Sequence, residues 1–261
     1  MLSKKPDIPL ARRDLIADRL AKGQAVVATE LATEFDVSED AIRRDLRALA
    51  AEGRCRRVYG GALPLSPADR PMAARMDEAR EQKAALGRAA AATITQGELV
   101  FLDSGSTNLA IVDALPEDFD LTIVTNSIDI AAAALRRSDL KLIMIGGSVD
   151  VVVGGAIDAT AISGISDLNI GRCFLGACSV STAGGVYAIN AADAAFKRVL
   201  VAASQHTTVL ATNDKFETSA PYRVAAIEDI ACFVVEHDMP SAESEALKKK
   251  GAKVLKAKRA T

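Results

Sequence analysis

The alternation of short apolar runs with helical segments is the feature of this sequence that most constrains its fold. The runs that have the length and composition of β-strands lie at 99–102, 121–124, 140–145, 173–175, 208–210, 231–235 and 253–255. Helical segments lie between several of these runs, at 107–115, 127–137, 191–204 and 241–250. Strands that alternate with helices form a mostly parallel sheet with helices on its faces, so we predict an α/β domain.

A different pattern occupies residues 1–62, where apolar stripes predict three short helices. The second is predicted at 28–35. The third is predicted to begin after Ser38, a favourable N-cap, and to run from Glu39 to about Ala51. Two short helices joined by a tight turn are typical of a helix-turn-helix, so we predict a small DNA-binding domain at 1–62.

Arginine is concentrated in and after the third predicted helix. Only two acidic residues between Ala41 and Pro64 oppose six arginines, which are Arg43, Arg44, Arg47, Arg54, Arg56 and Arg57. The three arginines on the helix fan across the face opposite the apolar residues Ile42, Leu46 and Leu49. Arginine meets guanine edges and phosphates in a bidentate way, so this face is predicted to contact DNA. The alternative interpretation is a solvated helix face.

The residues after the third helix predict a basic β-wing. Arg56 and Arg57 come just before a turn at Gly60 and Gly61, and such a hairpin is able to lie along the DNA backbone. The net charge of the whole chain is only −2. The local cluster of arginines, and not the overall charge, therefore carries the prediction of DNA binding.

A proline-rich segment separates the two patterns. Three prolines fall within eight residues, at 64, 67 and 71. Proline at this density excludes a regular helix or a central strand. We therefore predict a linker at 63–82, followed by a sensor domain at 83–261.

Small and polar residues follow three consecutive predicted strands. The segments are Asp103-Ser104-Gly105-Ser106-Thr107, Thr125-Asn126-Ser127 and Gly146-Gly147-Ser148. Parallel sheets place ligands at the carboxyl ends of their strands, and hydroxyl and free backbone N–H groups suit a phosphate, so we predict a shared pocket. Lys215 is able to reach the same face. The alternatives are that the turns are ordinary polar helix caps and that Asp193 and Lys197 form an ordinary i,i+4 pair.

Catalytic and metal-binding motifs are missing from the sequence. It has two histidines, neither in a recognisable motif, and no Walker A loop, G-x-G-x-x-G or H-E-x-x-H. Asp103 is a possible general base, but a role in orienting hydroxyls or binding a sugar fits better. The four cysteines show no C-x-x-C spacing, which predicts reduced thiols and neither a metal nor a cofactor. No stretch has the pattern of a signal peptide or a membrane span, so we predict a cytoplasmic protein.

Several motifs together resemble the DeoR family of bacterial transcriptional regulators across nearly the whole chain. The motifs are Ile42-Arg43-Arg44-Asp45-Leu46, Arg57-Val58-Tyr59-Gly60-Gly61-Ala62, Phe101-Leu102-Asp103-Ser104-Gly105-Ser106-Thr107, Thr122-Ile123-Val124-Thr125-Asn126-Ser127, Gly146-Gly147 and Phe174-Leu175-Gly176-Ala177. The resemblance implies an N-terminal winged helix-turn-helix and a C-terminal sensor domain similar to ribose-5-phosphate isomerase. It also implies a repressor of sugar-catabolism genes that senses a phosphorylated sugar and forms a homodimer or homotetramer.

The resemblance assigns functional residues by position. The residues implied to contact double-stranded operator DNA are Ser38, Arg43, Arg44, Arg47, Arg56 and Arg57. The residues implied to line the effector site are Asp103, Ser104, Gly105, Ser106, Thr107, Thr125, Asn126, Gly147 and Lys215. The chain departs from the family pattern at Ala41, Thr212 and Asp214, and Asp214 is expected to weaken anion binding at Lys215. Two alternatives stay open: a sugar-phosphate isomerase or deaminase with an added basic domain, and a constitutive DNA-binding protein whose sensor pocket has decayed.

Overall fold

Two units with separate apolar cores make up the chain, an N-terminal unit of residues 1–70 and a C-terminal unit of residues 71–261. The computed structural model describes residues 9–21, 24–64 and 70–259. The division falls inside the segment predicted as a linker, of which Pro67 and its neighbours lie outside the described residues. The predicted boundaries at 62 and 82 stay predictions.

The N-terminal unit combines three helices with a small antiparallel sheet. Its elements are α1 (Pro9–Ala21), β1 (Val26–Val27), α2 (Ala28–Phe35), α3 (Glu39–Ala51), β2 (Arg56–Val58) and β3 (Gly61–Leu63). The strand order is β1-β3-β2, and both pairings are antiparallel. The predicted helices and wing are confirmed. Strand β1 was not predicted, because two residues carry no periodicity.

Helix α3 forms for the local reasons that its sequence predicts. The Ser38 hydroxyl oxygen accepts a hydrogen bond from the Ala41 backbone N–H at 3.3 Å, which satisfies a free donor at the helix start. Ile42, Leu46 and Leu49 share one face and are buried in the core of this unit. The opposite face is thereby turned to solvent.

A buried ion pair fixes α3 to α1. The Arg12 Nε atom lies 2.7 Å from an Asp45 carboxylate oxygen, and both side chains are almost fully buried. Arg13 Nε is 4.0 Å from the other oxygen. Asp45 therefore sets the position of the arginine-bearing helix on its neighbour.

Replacing Asp45 with alanine is expected to destabilise the N-terminal unit by about 3–5 kcal/mol, because Arg12 is then left buried without a counter-charge. Faster hydrogen exchange of the α3 amides measures the loss. A matched control is Asp120→Ala, which breaks the exposed pair with Lys141 and should cost less than about 1 kcal/mol. Equal effects of the two substitutions contradict an anchoring role for Asp45.

The C-terminal unit is built on a parallel sheet of seven strands, as predicted. Its strands are β4 (Leu99–Leu102), β5 (Thr122–Thr125), β6 (Lys141–Met144), β9 (Ile170–Leu175), β12 (Ser204–Ala211), β14 (Cys232–Val235) and β15 (Lys253–Lys256). Their order is β15-β14-β12-β9-β4-β5-β6, and every pairing is parallel. The α/β prediction is confirmed.

Helices cover both faces of this sheet. They are α4 (Met72–Met76), α5 (Arg80–Ala91), α6 (Ser106–Val112), α7 (Ile128–Ala134), α8 (Ala159–Ser166), α9 (Ala191–Ala202), α10 (Asp214–Glu217) and α11 (Ser241–Lys249). In β4, Val100 and Leu102 are buried in the cluster that includes residues of α5 and α6. Phe101 belongs to the cluster on the other face, with α8 and α9. Burial on both faces explains why the strands are continuous apolar runs.

The smaller elements of this unit were not predicted from the sequence. They are β7 (Val149–Asp150), β8 (Gly155–Ala156), β10 (Ser179–Ser181), β11 (Gly185–Ala188), β13 (Tyr222–Ala225) and a 3-10 helix at Ile227–Asp229. A second, antiparallel sheet has the order β10-β11-β13. Two of its strands, β10 and β11, lie within residues 173–192, which include no charged residue. Within the described ranges, no helix has the length and apolar character needed to cross a membrane.

Candidate functional site

The carboxyl ends of neighbouring strands bring the predicted loops to one edge of the sheet. Leu102 at the end of β4 pairs with Thr125 at the end of β5, which in turn pairs with Met144 of β6. Strand β9 is the other neighbour of β4. Gly176, which directly follows β9, donates its backbone N–H to Asp103 in the 103–107 loop. The loops predicted to share a site therefore follow adjacent strands, and the turn after β9 joins them.

A lysine with two aspartates forms a buried charged group at this edge. Lys197 Nζ lies 2.8 Å from Asp103 Oδ2 and 2.7 Å from Asp193 Oδ1. The lysine is 2% exposed, and neither aspartate is more than 3% exposed. Asp193 and Lys197 are therefore more than an ordinary exposed i,i+4 pair, because both are buried and Lys197 also contacts Asp103. We call these three residues the buried triad.

A signal for this group is present in the sequence. Asp193, Lys197 and Leu200 are spaced four and three residues apart, so the two charged residues lie on the apolar face of α9. Charged residues are rarely buried unless they are paired. Helical spacing therefore indicates a partner, but only the tertiary structure supplies Asp103, which is far away in the chain.

Burial and mutual attraction set the charges of the triad. Burial raises the pKa of Asp103, and the ammonium group of Lys197 opposes this shift. Burial by itself would lower the pKa of Lys197, but the carboxylates of Asp103 and Asp193 outweigh it and raise that pKa. The two carboxylates therefore favour the charged form of Lys197.

Two polar atoms, one in the triad and one in the residue after Asp103, are buried without a hydrogen-bond partner among the described residues. They are Asp103 Oδ1 and the Ser104 hydroxyl oxygen. The other Asp103 oxygen accepts a hydrogen bond from the Gly176 backbone N–H at 2.8 Å. Buried polar atoms are rarely left unpaired in native proteins, so this pair of atoms marks a place where a polar ligand or water completes the site.

Thr125 and Asn126 hold the loops together. The Thr125 hydroxyl donates to the Leu102 carbonyl at 2.6 Å and accepts from the Ser127 N–H at 3.0 Å. Asn126 Oδ1 accepts from the Ser104 N–H at 3.1 Å, and its Nδ2 donates to the Ala156 carbonyl at 3.0 Å. The structure thus gives both side chains a structural role, and their contact with an effector stays a prediction.

Asn108, which the sequence analysis did not select, has a similar role in the same loop. Its Nδ2 donates to the carbonyls of Asp103 and Phe174, both at 2.9 Å. The side chain is almost fully buried. Its position in the first turns of a helix gave no distinct signal.

The remaining residues of the 103–107 loop begin α6. Gly105 precedes the helix, and the half-buried side chains of Ser106 and Thr107 lie in its first turn. At Gly147, φ is +140°, and a Cβ atom there would lie 2.3 Å from Asp158 Oδ1. Glycine is therefore required at this turn for steric reasons. Effector contacts of these four residues stay predictions.

Asp158 organises the turn at Gly147. Its carboxylate accepts hydrogen bonds from the Ser148 N–H at 2.9 Å and the Ala161 N–H at 3.1 Å. These backbone donors lower the pKa of Asp158. The residue caps α8 and orders the turn after β6, a role that the sequence analysis did not assign.

Lys215 follows β12 on α10, with its side chain 15% exposed and its Nζ 3.4 Å from Asp214 Oδ2. The adjacent acid that the sequence placed beside this lysine is therefore in contact with it. Asp214 also accepts a hydrogen bond from the Thr212 hydroxyl. The effector contact of Lys215 stays a prediction.

The N-terminal unit exposes the arginines that were predicted to contact DNA. The exposed residues are Arg43, Arg44, Arg47, Arg56 and Arg57. Arg43 Nη2 donates to Glu39 Oε2 at 2.7 Å, so an acid on its own helix partly neutralises it. Arg44 and Arg47 have no ion pair with the described residues. Tyr59 is fully exposed at the tip of the wing.

Metal ligands and disulfides contribute nothing to either site in the part of the chain that the structure describes. No group of three or more His, Cys, Asp or Glu residues there could hold a metal ion. The four cysteines are free thiols.

Comparisons with known proteins agree with this division into two functional parts. The DeoR-like helix-turn-helix domain model matches residues 12–67, and the DeoR C terminal sensor domain model matches residues 78–237. The glycerol-3-phosphate regulon repressor of Escherichia coli is 31% identical over 210 residues, which cover 80% of this chain and 83% of that protein. The HTH-type regulator YgbI of the same organism is 31% identical over 254 residues, 96% of this chain and 99% of that one.

A solved structure of ribose 5-phosphate isomerase A from Neisseria gonorrhoeae is similar at 14% identity and a TM-score of 0.38, covering 51% of this chain and 52% of that one. The arginine-faced helix-turn-helix and the separate parallel-sheet unit define a DNA-binding transcriptional regulator with a sensor domain. The chain belongs to the DeoR family, and it is a transcriptional repressor of the DeoR type.

Proposed function

We propose that this chain represses genes of sugar-related metabolism in the cytoplasm and that a phosphorylated sugar or a related metabolite controls its affinity for operator DNA. The observation that carries the proposal is the buried triad, where Asp103 Oδ1 and the neighbouring Ser104 hydroxyl have no hydrogen-bond partner among the described residues. The name of the glycerol-3-phosphate regulon repressor supports an effector of this class.

The DNA contacts in this proposal come from two surfaces of the N-terminal unit. Arg43, Arg44 and Arg47 on α3 enter the major groove or bind the flanking phosphates. Arg56 and Arg57 on β2 lie along the backbone. The Ser38 oxygen accepts from Ala41, and its O–H group is available to donate to a phosphate.

The effector contacts come from the strand-end loops. Asp103 Oδ1 accepts a hydrogen bond from a sugar hydroxyl, and the Ser104 hydroxyl bonds a second one. The loop from Gly105 to Thr107 and the turn at Gly147 close the site, and Lys215 contributes a positive charge. The triad itself keeps Asp103 oriented, because Lys197 and Gly176 both bind its other oxygen.

Control of DNA binding follows from a shift between two populations of the regulator. The protein acts as a homodimer or homotetramer, so that two recognition helices meet two operator half-sites. Effector binding favours a state in which the spacing of these helices does not fit the operator. The alternative of a sensor pocket that has lost its effector is disfavoured. Without a ligand, its buried polar atoms would lack hydrogen bonds, which costs free energy of folding.

Fluorescence anisotropy of labelled DNA from upstream of the protein's own gene tests this function. At fixed salt, we expect tight binding that competitor DNA does not displace and that one member of a sugar-phosphate panel abolishes or strengthens. The unphosphorylated sugars are the matched controls and should have no effect. Specific DNA binding that no sugar phosphate of the panel changes would contradict control by a phosphorylated sugar.

The same preparation distinguishes a regulator from an enzyme. Steady turnover of ribose 5-phosphate that is lost in Asp103→Asn would support the isomerase alternative. We expect no turnover above the rate of the buffer alone.

A further inference from the structure

Strand β6 leaves one edge of the seven-stranded sheet open. It pairs with β5 on one side, and no strand of the described residues pairs with it on the other. Toward β5, the Lys141 N–H donates to the Leu121 carbonyl at 3.0 Å, and the Ile145 N–H donates to the last residue of β5 at 2.8 Å. Backbone groups alternate in direction along a strand, so those of Leu142 and Met144 point away from the sheet. Such a row of groups is a template for pairing with another strand.

The side chains of β6 are apolar on both faces of the sheet. Alternation along the strand places Leu142 and Met144 on one face and Ile143 on the other. Ile143 is 40% exposed and Met144 is 38% exposed. Natural edge strands are usually protected by charged residues, by proline or by a covering segment. Apart from Lys141 at its start, β6 carries no charge and no proline.

The opposite edge of the same sheet is protected. Strand β15 has the sequence Lys253-Val254-Leu255-Lys256, and both of its lysines are exposed. Lysine on an edge strand discourages pairing with another chain, because pairing would take its charge out of water. The two edges therefore differ, and β6 is the one that suits a contact from which water is excluded.

Further exposed apolar side chains lie on the elements that precede and follow β6. Seven of the thirteen large apolar side chains that are exposed among the described residues lie between positions 128 and 152. Besides the two on β6, they are Ile128, Leu135, Val149, Val151 and Val152. The Ile128 N–H donates to the Gly154 carbonyl at 3.3 Å, which brings the start of α7 beside the hairpin of β7 and β8. A concentration of exposed apolar side chains marks an interaction surface.

We propose that β6 pairs with β6 of a second copy of this chain, so that two seven-stranded sheets join into one across a two-fold axis. The inference rests on the proposed oligomeric regulator and identifies the surface through which two copies assemble. A two-fold axis makes the two edge strands antiparallel, and the same residues then lie on both sides of the interface. A second copy fits this edge because β6 is complementary to itself.

The outward backbone groups determine the register of this pairing. Residues that exchange hydrogen bonds across antiparallel strands lie directly opposite each other. Both outward residues of β6 therefore pair within β6 when Leu142 lies opposite the partner subunit's Met144. Ile143 then lies on the axis, opposite the partner subunit's Ile143. Apolar side chains meet on both faces, and Lys141 keeps its ion pair with Asp120.

Disulfide formation in the full chain tests the register. In Ile143→Cys, two thiols face each other across the axis in a non-hydrogen-bonded pair, whose Cα atoms are about 4.5 Å apart, a distance that a disulfide spans. Under mild oxidation, we expect most of this variant to migrate as a covalent dimer in a non-reducing gel. The matched control is Lys253→Cys, at an exposed position of β15, which should migrate as a monomer. Cross-linking of Ile143→Cys no greater than that of Lys253→Cys overturns the proposal.

Sedimentation equilibrium provides an independent test. Ile143→Lys places two ammonium groups opposite each other and should weaken self-association by about 100-fold or more, because like charges that face each other across an interface are strongly unfavourable. The matched control is Tyr222→Lys, which puts a lysine at an exposed position of β13 and should associate like the wild type. Circular dichroism should show both variants folded, since both positions are exposed. A monomeric wild type, or equal association of the two variants, overturns the proposal.

Neither experiment contains DNA or an effector, so its failure is distinct from a failure of the proposed function. A wild type that binds operator DNA and responds to a sugar phosphate, but whose Ile143→Cys variant does not cross-link, would overturn this interface and leave the regulator in place.

Discussion

Replacing Lys197 with methionine is expected to destabilise the C-terminal unit by about 3–5 kcal/mol, because Asp103 and Asp193 are then buried without a counter-charge. Lys197 Nζ is within 2.8 Å of a carboxylate oxygen of each aspartate. Urea unfolding followed by circular dichroism measures the loss. The effector response of the variant should also disappear, because Asp103 loses the group that orients it.

The pH dependence of this variant identifies the cause of its instability. Without Lys197, burial holds the pKa of Asp103 above its unfolded value with less opposition. The folded variant then binds more protons than the unfolded chain, so its stability should rise as the pH falls from about 7 to about 5. The wild type should show a smaller rise, because the ammonium group of Lys197 opposes the shift in the pKa of Asp103.

A neutral triad is the matched control for charge. Combining Lys197→Met with Asp103→Asn and Asp193→Asn removes all three charges and should recover much of the lost stability. If Lys197→Met alone changes the free energy of unfolding by less than about 1 kcal/mol, the triad is not a buried charged group in solution.

Replacing Arg44 and Arg47 together with alanine is expected to weaken operator binding by about 100-fold or more, because each bidentate base contact contributes about 1–3 kcal/mol. Both side chains are exposed on α3, so thermal stability should stay within experimental error. Anisotropy at fixed salt gives the affinity, and calorimetry gives the effector affinity, which should be unchanged.

Two comparisons make this result specific. Arg88→Ala removes an exposed arginine of the C-terminal unit and should leave DNA affinity as it was. Arg43→Ala should have a smaller effect than the double variant, because Arg43 is already paired with Glu39. A parallel loss of DNA and effector affinity in the double variant would indicate misfolding and remove the evidence for a recognition helix.

The sequence was a good guide wherever a short segment decides its own structure. Leu99–Leu102 forms a strand with the bounds predicted for it, because it is buried on both faces and is apolar throughout. Ser38 caps α3 as its residue type predicts. Some elements that the sequence missed, such as β1 and β7, are only two residues long, and β1 forms through pairing with β3, which is far away in the chain.

The candidate site also combines features that the local sequence predicts with features that depend on distant contacts. The small residues of the 103–107 loop predicted a ligand site at the carboxyl end of a buried strand, and its contact with a ligand stays a prediction. The hydrogen bonds by which Thr125 and Asn126 connect neighbouring loops were not predictable. A side-chain hydrogen bond to a distant backbone group leaves no periodic pattern in the sequence.

The sequence by itself determined the class of each unit, through the arginine-faced helix after Ser38 and through the alternation of apolar runs with helices. These are local properties, because helix capping and the burial of an apolar face depend on residues a few positions apart. Only the tertiary structure placed β9 beside β4 and brought Lys197 of α9 to within 2.8 Å of Asp103. Electrostatic and hydrogen-bond contacts of this kind depend on distance in space and not on separation along the chain.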